Sequence, residues 1–238
     1  MERLQNILSH AGVASRRHAA ELVESGRVTV DGLVVKEPGA RFESGSVKIC
    51  VDGRPIGGAE KHRTIMLYKP VGVVSTMSDP FGEKAVADLL GGQVKERLVP
   101  VGRLDKESEG MLLMSNDGEL VNRLTHPRFE HEKTYEVRVA GRWNEEKLAI
   151  LRGSVEMPDG YRTRPCPVEV KRVLENNTAD LVFRLGEGRK RQIRYMCSAA
   201  HLVVLSLKRT KVGKVELDPR LKPGEWRDLT AQELEALR

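Results

Sequence analysis

Aromatic residues are scarce, with two Trp, four Tyr and four Phe among 238 residues. The core must therefore be assembled from Val, Leu, Ile and Ala. Cysteine is scarcer: Cys50, Cys166 and Cys197 stand far apart and in odd number. That excludes a disulfide framework, offers no metal-ligand spacing and fits a reducing, cytoplasmic setting. No apolar run approaches the roughly 18–20 residues that cross a bilayer, and the densest one, Leu202–Leu207, reads as a strand. The first residues carry Glu2 and Arg3 without an apolar signal core, so no export and no membrane partner are expected. A Walker loop, a dinucleotide fingerprint and a His/Cys cluster are all missing, so the expectation is no cofactor and no metal.

What is present suits a packed protein, with 39% hydrophobic and 31% charged residues. The net charge is a modest +6, but it is unevenly placed. Gly186–Lys214 holds eight Lys and Arg against one acid, Glu187, which is the electrostatic footprint expected for a polyanion. A solvated basic helix is the plainer account.

The chain reads as α+β in two domains. In residues 1–60, Leu4, Ile7 and Leu8 have helical spacing and Gly12 stops that helix. Ser15 is set to cap a second helix, Arg16–Glu24. The β-branched run around Asp31-Gly32 signals a hairpin. Gly57–Lys61 reads as a linker. Residues 61–238 mix strands (Ile65–Lys69, Met111–Ser115, Lys133–Gly141, Val168–Leu174, Ala179–Leu185, Val203–Leu217) with helices at Lys84–Leu90, Gly118–Leu124, 144–151, Lys190–Ala200 and Thr230–Leu237.

Four stretches can carry chemistry. In GRLDKESEGMLLMSNDG (Gly102–Gly118), Asp105 precedes an apolar strand, a rigid platform for presenting a carboxylate; an ordinary turn with a hydrogen-bonding Asp is the plainer account. In EGRKRQIRYM (Glu187–Met196), Lys190 and Arg194 would share a helix face. Ile193 and Met196 would point inward there, leaving Arg194 half-buried and in need of an anionic partner or paired with Glu187. In YKPVGVVST (Tyr68–Thr76), Ser75 and Thr76 offer hydroxyls to a phosphate. Tyr135 opens a strand, where a phenol can stack on a base or simply pack.

Taken in order, these segments, with SDPFGEKAVADLL and NRLTHPRFEHEKTYEVRV, resemble the motifs of the ribosomal pseudouridine synthases, in the branch that modifies one uridine at a time. RLQNILSHAGVASRRHAAELVESGRVTVDGLVV resembles the S-four RNA-binding domain. The resemblance implies an S-four-like module followed by a catalytic domain with a mixed, mainly antiparallel sheet, flanking helices and a central cleft. It implies Asp105 as nucleophile, kept ionised by Arg194, and Tyr135 against the uracil. Arg103 would fill the space of the extruded base and Ile193 would lie beneath the target base. Arg16, Arg17, Lys69, Arg189, Lys190 and Arg191 are the cations expected on RNA. Tyr195, where many members of the branch carry Arg, and the variable Lys190-Arg191 leave the target uridine open.

The implied partner is ribosomal RNA, a stem-loop with the target uridine, within a pre-ribosomal particle and acted on by a monomer. The large subunit (23S) is preferred over the small (16S). The alternative is a non-catalytic assembly factor that only binds RNA. A glycosidase would need a second carboxylate, for which there is no clear candidate.

Overall fold

Ser15 accepts a hydrogen bond from the His18 amide at 3.1 Å, satisfying one of the free donors at a helix start. The second helix therefore begins where the sequence places it. The computed structural model describes residues 1–237; Arg238, the last residue of the second expected domain, lies outside them. Two units are distinguished, residues 1–63 with Lys95–Arg97, and Thr64–Val94 with Leu98 onward.

In the first unit, β1 (Glu2–Arg3) leads into α1 (Leu4–His10) and α2 (Arg16–Glu24). The strands β2 (Val28–Val30), β3 (Leu33–Val34), β4 (Arg41–Phe42), β5 (Ile49–Val51) and β6 (Arg54–Pro55) follow. The sheet order is β3-β2-β5-β6, and β1 pairs with β4. Leu4, Ile7, Leu8, Ala19, Leu22 and Val23 close over Val28, Val30 and Ile49, so the amphipathic spacing read in the sequence is the packing face.

The second unit is a nine-stranded sheet in the order β11-β12-β10-β13-β9-β7-β15, with β14 on β13 and β8 on β9. Its strands are β7 (Thr64–Lys69), β8 (Val99–Val101), β9 (Glu109–Ser115), β10 (Lys133–Ala140), β11 (Val168–Val173), β12 (Thr178–Leu185), β13 (Val203–Val212), β14 (Val215–Glu216) and β15 (Trp226–Asp228). The helices are α3 (Gly118–Thr125), α4 (Glu145–Arg152), α5 (Gln192–Ala199) and α6 (Ala231–Ala236). Every residue of β7 is buried, because both faces of the sheet are covered. Successive strand residues point to opposite faces: Ile65, Leu67, Leu112 and Met114 join one core with Ile193 and Met196 of α5, while Met66, Met111 and Leu113 join the other with Leu120 and Leu124 of α3.

All pairings in this sheet are antiparallel except β13 with β9, which run parallel through Lys208↔Glu109 and Arg209↔Gly110. Gly110 has φ +105°, and a Cβ there would lie 2.3 Å from the Arg209 carbonyl oxygen and 2.7 Å from its nitrogen. Only glycine lets the two backbones meet this closely.

Several expectations shift. The segment Lys84–Leu90 forms only a short 3-10 turn over Val86–Leu90. The helix expected from Lys190 starts at Gln192, because Arg191 has φ +58° and breaks the helical path. Lys190 therefore lies on a loop and shares no helix face with Arg194. The basic stretch does not form one surface either. A bulge opposite Thr134/Tyr135 rephases β13, so that Arg209 faces one side of the sheet with Tyr135, while Lys208 and Lys211 line a cavity on the other side with Thr134 and Glu136. Strand β15 had no alternation to announce it and forms by pairing on β7.

Among the described residues no helix is long and apolar enough to cross a membrane. Burial pushes the Cys166 thiol up to about 11 and that of Cys197 to about 12; Cys50 is partly exposed.

The Gly110 crossing predicts that Gly110→Ala is strongly destabilising. Positive-φ strain alone costs about 1–3 kcal/mol, and the clash with the Arg209 backbone adds to it. Urea unfolding should show a loss of at least about 2 kcal/mol; a loss below about 0.5 kcal/mol, within the range of ordinary surface changes, would mean that the crossing is not tight.

Candidate active site

Asp105 sits on the loop between β8 and β9, and the loop is held from several directions. Leu104 is 6% exposed and anchors it in the core. The Leu104 amide donates to Ser75 Oγ at 3.1 Å, and the same hydroxyl donates to the Leu104 carbonyl at 2.7 Å. This reciprocal pair fixes the residue between Arg103, which is exposed, and Asp105, which is partly exposed. The Ser75 hydroxyl is thereby buried and consumed, and the Thr76 hydroxyl is buried without a partner. Neither is presented to a phosphate, contrary to the expectation from the sequence.

Lys69 is a second correction. It was expected on RNA, but its side chain is fully buried. At the end of β7 every side chain lies inside the sheet layers, so the ammonium turns to the Asp105 loop. It donates to the carbonyls of Pro70 at 3.0 Å, Asp105 at 3.1 Å and Ser108 at 2.7 Å. Three acceptors match the three donors of an ammonium. Burial nevertheless pulls its pKa down to about 8, with the charge of Asp105 opposing that shift.

The far end of the loop is tied to α5. Arg194 Nη2 donates to the Glu107 carbonyl at 3.0 Å, and Arg191 Nη1 donates to Glu107 Oε2 at 3.0 Å. The Glu107 carboxyl is lowered below the usual range, chiefly by a hydrogen bond from its own amide, and Arg191 and Arg194 also lower it. Arg194 Nε is buried and has no partner.

Asp105 and Arg194 line one cleft of about 380 Å³ together with Arg103, Tyr135, Arg189, Lys190, Arg191 and Ile193. No hydrogen bond or ion pair joins the Asp105 and Arg194 side chains, so Arg194 grips the loop rather than the carboxylate. Nor does Arg194 pair with Glu187. That carboxylate accepts from Tyr161 Oη at 2.7 Å, the Arg164 amide at 3.0 Å and Gln192 Nε2 at 2.7 Å. It holds the 186–191 loop at the cleft edge, where the Arg189 guanidinium stacks 3.7 Å above the Tyr161 ring.

Tyr135 on β10 is 9% exposed and Ile193 on α5 is 4% exposed; with Leu185 and Leu207 they supply the apolar part of the lining. Among the described residues no group of three or more His, Cys, Asp or Glu side chains is placed to hold a metal ion. Arg16 and Arg17 are exposed at the start of α2 and form no ion pair among the described residues. The sequence reading missed Glu107 and Tyr161 and offered Glu187 only as a partner for Arg194; the roles of all three depend on contacts distant in the chain. It also missed the clamping role of Lys69, for which the only local signal was an ammonium at the end of the apolar run Ile65–Tyr68.

Comparison with known proteins bears on the family of the chain. The family model for RNA pseudouridylate synthase matches residues 63–199, and that of the S4 domain matches residues 2–47. The chain is 39% identical over 239 residues to the ribosomal large subunit pseudouridine synthase B of Bacillus subtilis (strain 168), covering 100% of this chain and 96% of that protein. It is 37% identical over 241 residues to the protein of the same name from Vibrio vulnificus (strain CMCP6), covering 100% of this chain and 74% of the relative. A solved structure described as a pseudouridylate synthase aligns over 100% of both chains with a TM-score of 0.69 and 28% identity. With its matched domain spanning more than half of its length, this chain belongs to the RNA pseudouridylate synthase family and carries an S4 domain at its amino-terminal end.

Proposed function

We propose that this synthase isomerises a uridine of ribosomal RNA, in the large subunit rather than the small, with Asp105 as the catalytic carboxylate. One observation carries the site assignment: Asp105 is the one acid among the described residues lining a cleft that also holds Arg103, Arg189, Lys190, Arg191 and Arg194. A polyanion is drawn to such a cleft, and the single carboxylate is then the group available for chemistry on the sugar or base. The names of the similar proteins support ribosomal RNA of the large subunit.

The reaction breaks the bond between ribose carbon 1′ and uracil nitrogen 1, turns the base and rejoins it through carbon 5. Asp105 acts by attack at carbon 1′, by attack at uracil carbon 6, or by assisting loss of the carbon 2′ proton. The proton removed from carbon 5 ends on nitrogen 1 through solvent, so no net atom is gained or lost. A base inside a stem is unreachable, and extruding it costs roughly a few kcal/mol. Arg103, exposed beside Asp105, would occupy the vacated space and offset part of that cost. Tyr135 and Ile193 would pack against the extruded uracil. Arg16 and Arg17 in the first unit, and Arg189, Lys190 and Arg191 at the cleft, would contact phosphates.

Loop geometry makes Lys69 a positioning residue in this scheme. Its ammonium fixes the carbonyl of Asp105 itself, so it governs where the carboxylate points without touching RNA.

Asp105→Asn should abolish tritium release from uracil carbon 5 while RNA affinity is retained. Full turnover in that variant would overturn the assignment, and no release by the wild type from 23S or 16S RNA would favour an RNA binder without catalysis. Lys69→Met should lower kcat about 10- to 100-fold, the effect of a misplaced catalytic group, with KM little changed; an equal rise in KM would instead place Lys69 on the RNA.

Lys69 also has a pH signature. Its folded pKa of about 8 lies below its ordinary value of 10.5, so between these limits the unfolded chain binds more protons. The burial penalty is fully present below about 8 and fades as pH rises toward 10.5. Across that window the wild type should gain stability relative to Lys69→Met in urea unfolding. A constant difference would show that the ammonium is not buried in solution.

A further inference from the structure

Beside the catalytic cleft lies a second cavity of about 480 Å³ that shares Arg103, Tyr135 and Arg189 with it. Lys133 and Arg209 belong to its wall. Lys133 is two residues before Tyr135 on β10, so both leave the sheet on one face. Arg209 is the registered partner of Tyr135 on β13. The bulge that rephases β13 is what turns Arg209 toward this side.

Neither cation has a counter-charge. Arg209 is 4% exposed; its Nε donates to the Met111 carbonyl at 2.7 Å, and its Nη2 is buried with no hydrogen-bond partner. Lys133, half-buried at the wall, forms no hydrogen bond or ion pair among the described residues, and its pKa is pushed down to about 8 by burial first and by Arg209 second. The acids of the cavity are engaged elsewhere: Glu130 with Arg164, and Glu187 with Tyr161, Gln192 and the Arg164 amide. Two neighbouring cations removed from water repel each other and lack the partner that ordinarily accompanies a buried charge. An anion entering the cavity relieves both costs.

We propose that Lys133 and Arg209 form a seat for one phosphodiester of the RNA strand, adjacent to the nucleotide held over Asp105. Lys133 makes the contact, and Arg209 supplies positive potential from behind it. The lining that the cavity shares with the cleft favours a phosphate of the same strand over a free ion. The proposal rests on the RNA-modifying reading for the identity of its ligand. It gives a role to Lys133 and Arg209, to which the resemblance assigned none.

The test uses the full chain and a transcript of 23S RNA, with binding measured across a salt series. Lys133→Gln should weaken binding and reduce the log–log salt slope by about 0.7, the value for one phosphate contact on a single strand, whereas Lys133→Arg should keep the slope. The free Lys133→Gln protein should melt at the same temperature as the wild type or higher, because one of two repelling cations is gone. An unchanged slope, or a lowered melting temperature, would overturn the seat. Inorganic phosphate titrated into the free protein tests the other source: if it raises the melting temperature of the wild type while the RNA slope ignores Lys133→Gln, the site takes free phosphate and the RNA assignment falls. Tritium release measured in parallel separates the two readings. Release by the wild type with no slope change in the variant sinks the seat alone. A slope change without release from any RNA keeps the seat and sinks the catalytic reading.

Discussion

Three strands meet at Gly110, and the rest of the second unit is arranged around that meeting. Lys69 of β7 is registered with Gly110 on one side and Arg209 of β13 on the other. This is where the sheet's one parallel pairing joins its two antiparallel halves. Because no side chain intervenes at Gly110, the backbones approach closely enough for Arg209 to bond the Met111 carbonyl from across the strand. On the other flank, the Lys69 ammonium reaches the loop that carries Asp105. A single missing Cβ thus brings a buried lysine, a buried arginine and the carboxylate proposed as catalytic to one end of β9.

The loop that carries Asp105 is held almost entirely through its backbone. Ser75 holds Leu104, Lys69 holds the carbonyls of Asp105 and Ser108, and Arg194 holds that of Glu107. Backbone anchoring leaves the Asp105 side chain without a hydrogen-bond or ion-pair partner among the described residues. A carboxylate committed to a salt bridge would have to surrender it before reacting; one placed by its main chain is preorganised at no such cost. In the proposed scheme Arg103, Arg189 and Lys190 attract RNA, Lys69 and Arg194 grip the loop, and Arg191, bonded to Glu107, does both. Arg103 and Lys190 are exposed, while Lys69 is buried and Arg194 partly buried.

Much of this was legible in the chain. The Ser15 cap, the amphipathic helices of the first unit and the strands of the second follow from periodicity, because those residues are selected by burial along their own element. The motif order pointed to Asp105, Arg103, Tyr135, Ile193 and Arg194, all of which line one cleft. Lys69 was misread because the Lys-Pro-x-Gly turn beside it reads as surface, and its place at the end of a strand is too weak a local sign that its ammonium will be enclosed. The start of α5 was misplaced because nothing in a run of basic residues announces a left-handed Arg191. The division of the basic stretch between two faces depends on one bulge, and a bulge is a property of two paired strands rather than of either sequence.

The sulfur chemistry of the chain has a practical side. Cys166 and Cys197 are enclosed, and their thiols ionise only near the alkaline values given above, so alkylating reagents at neutral pH meet almost no thiolate there. Cys50, on β5 in the amino-terminal unit, is the accessible one. A maleimide dye would therefore mark that unit alone, providing a fluorescent reporter of its encounter with nucleic acid without any engineered cysteine.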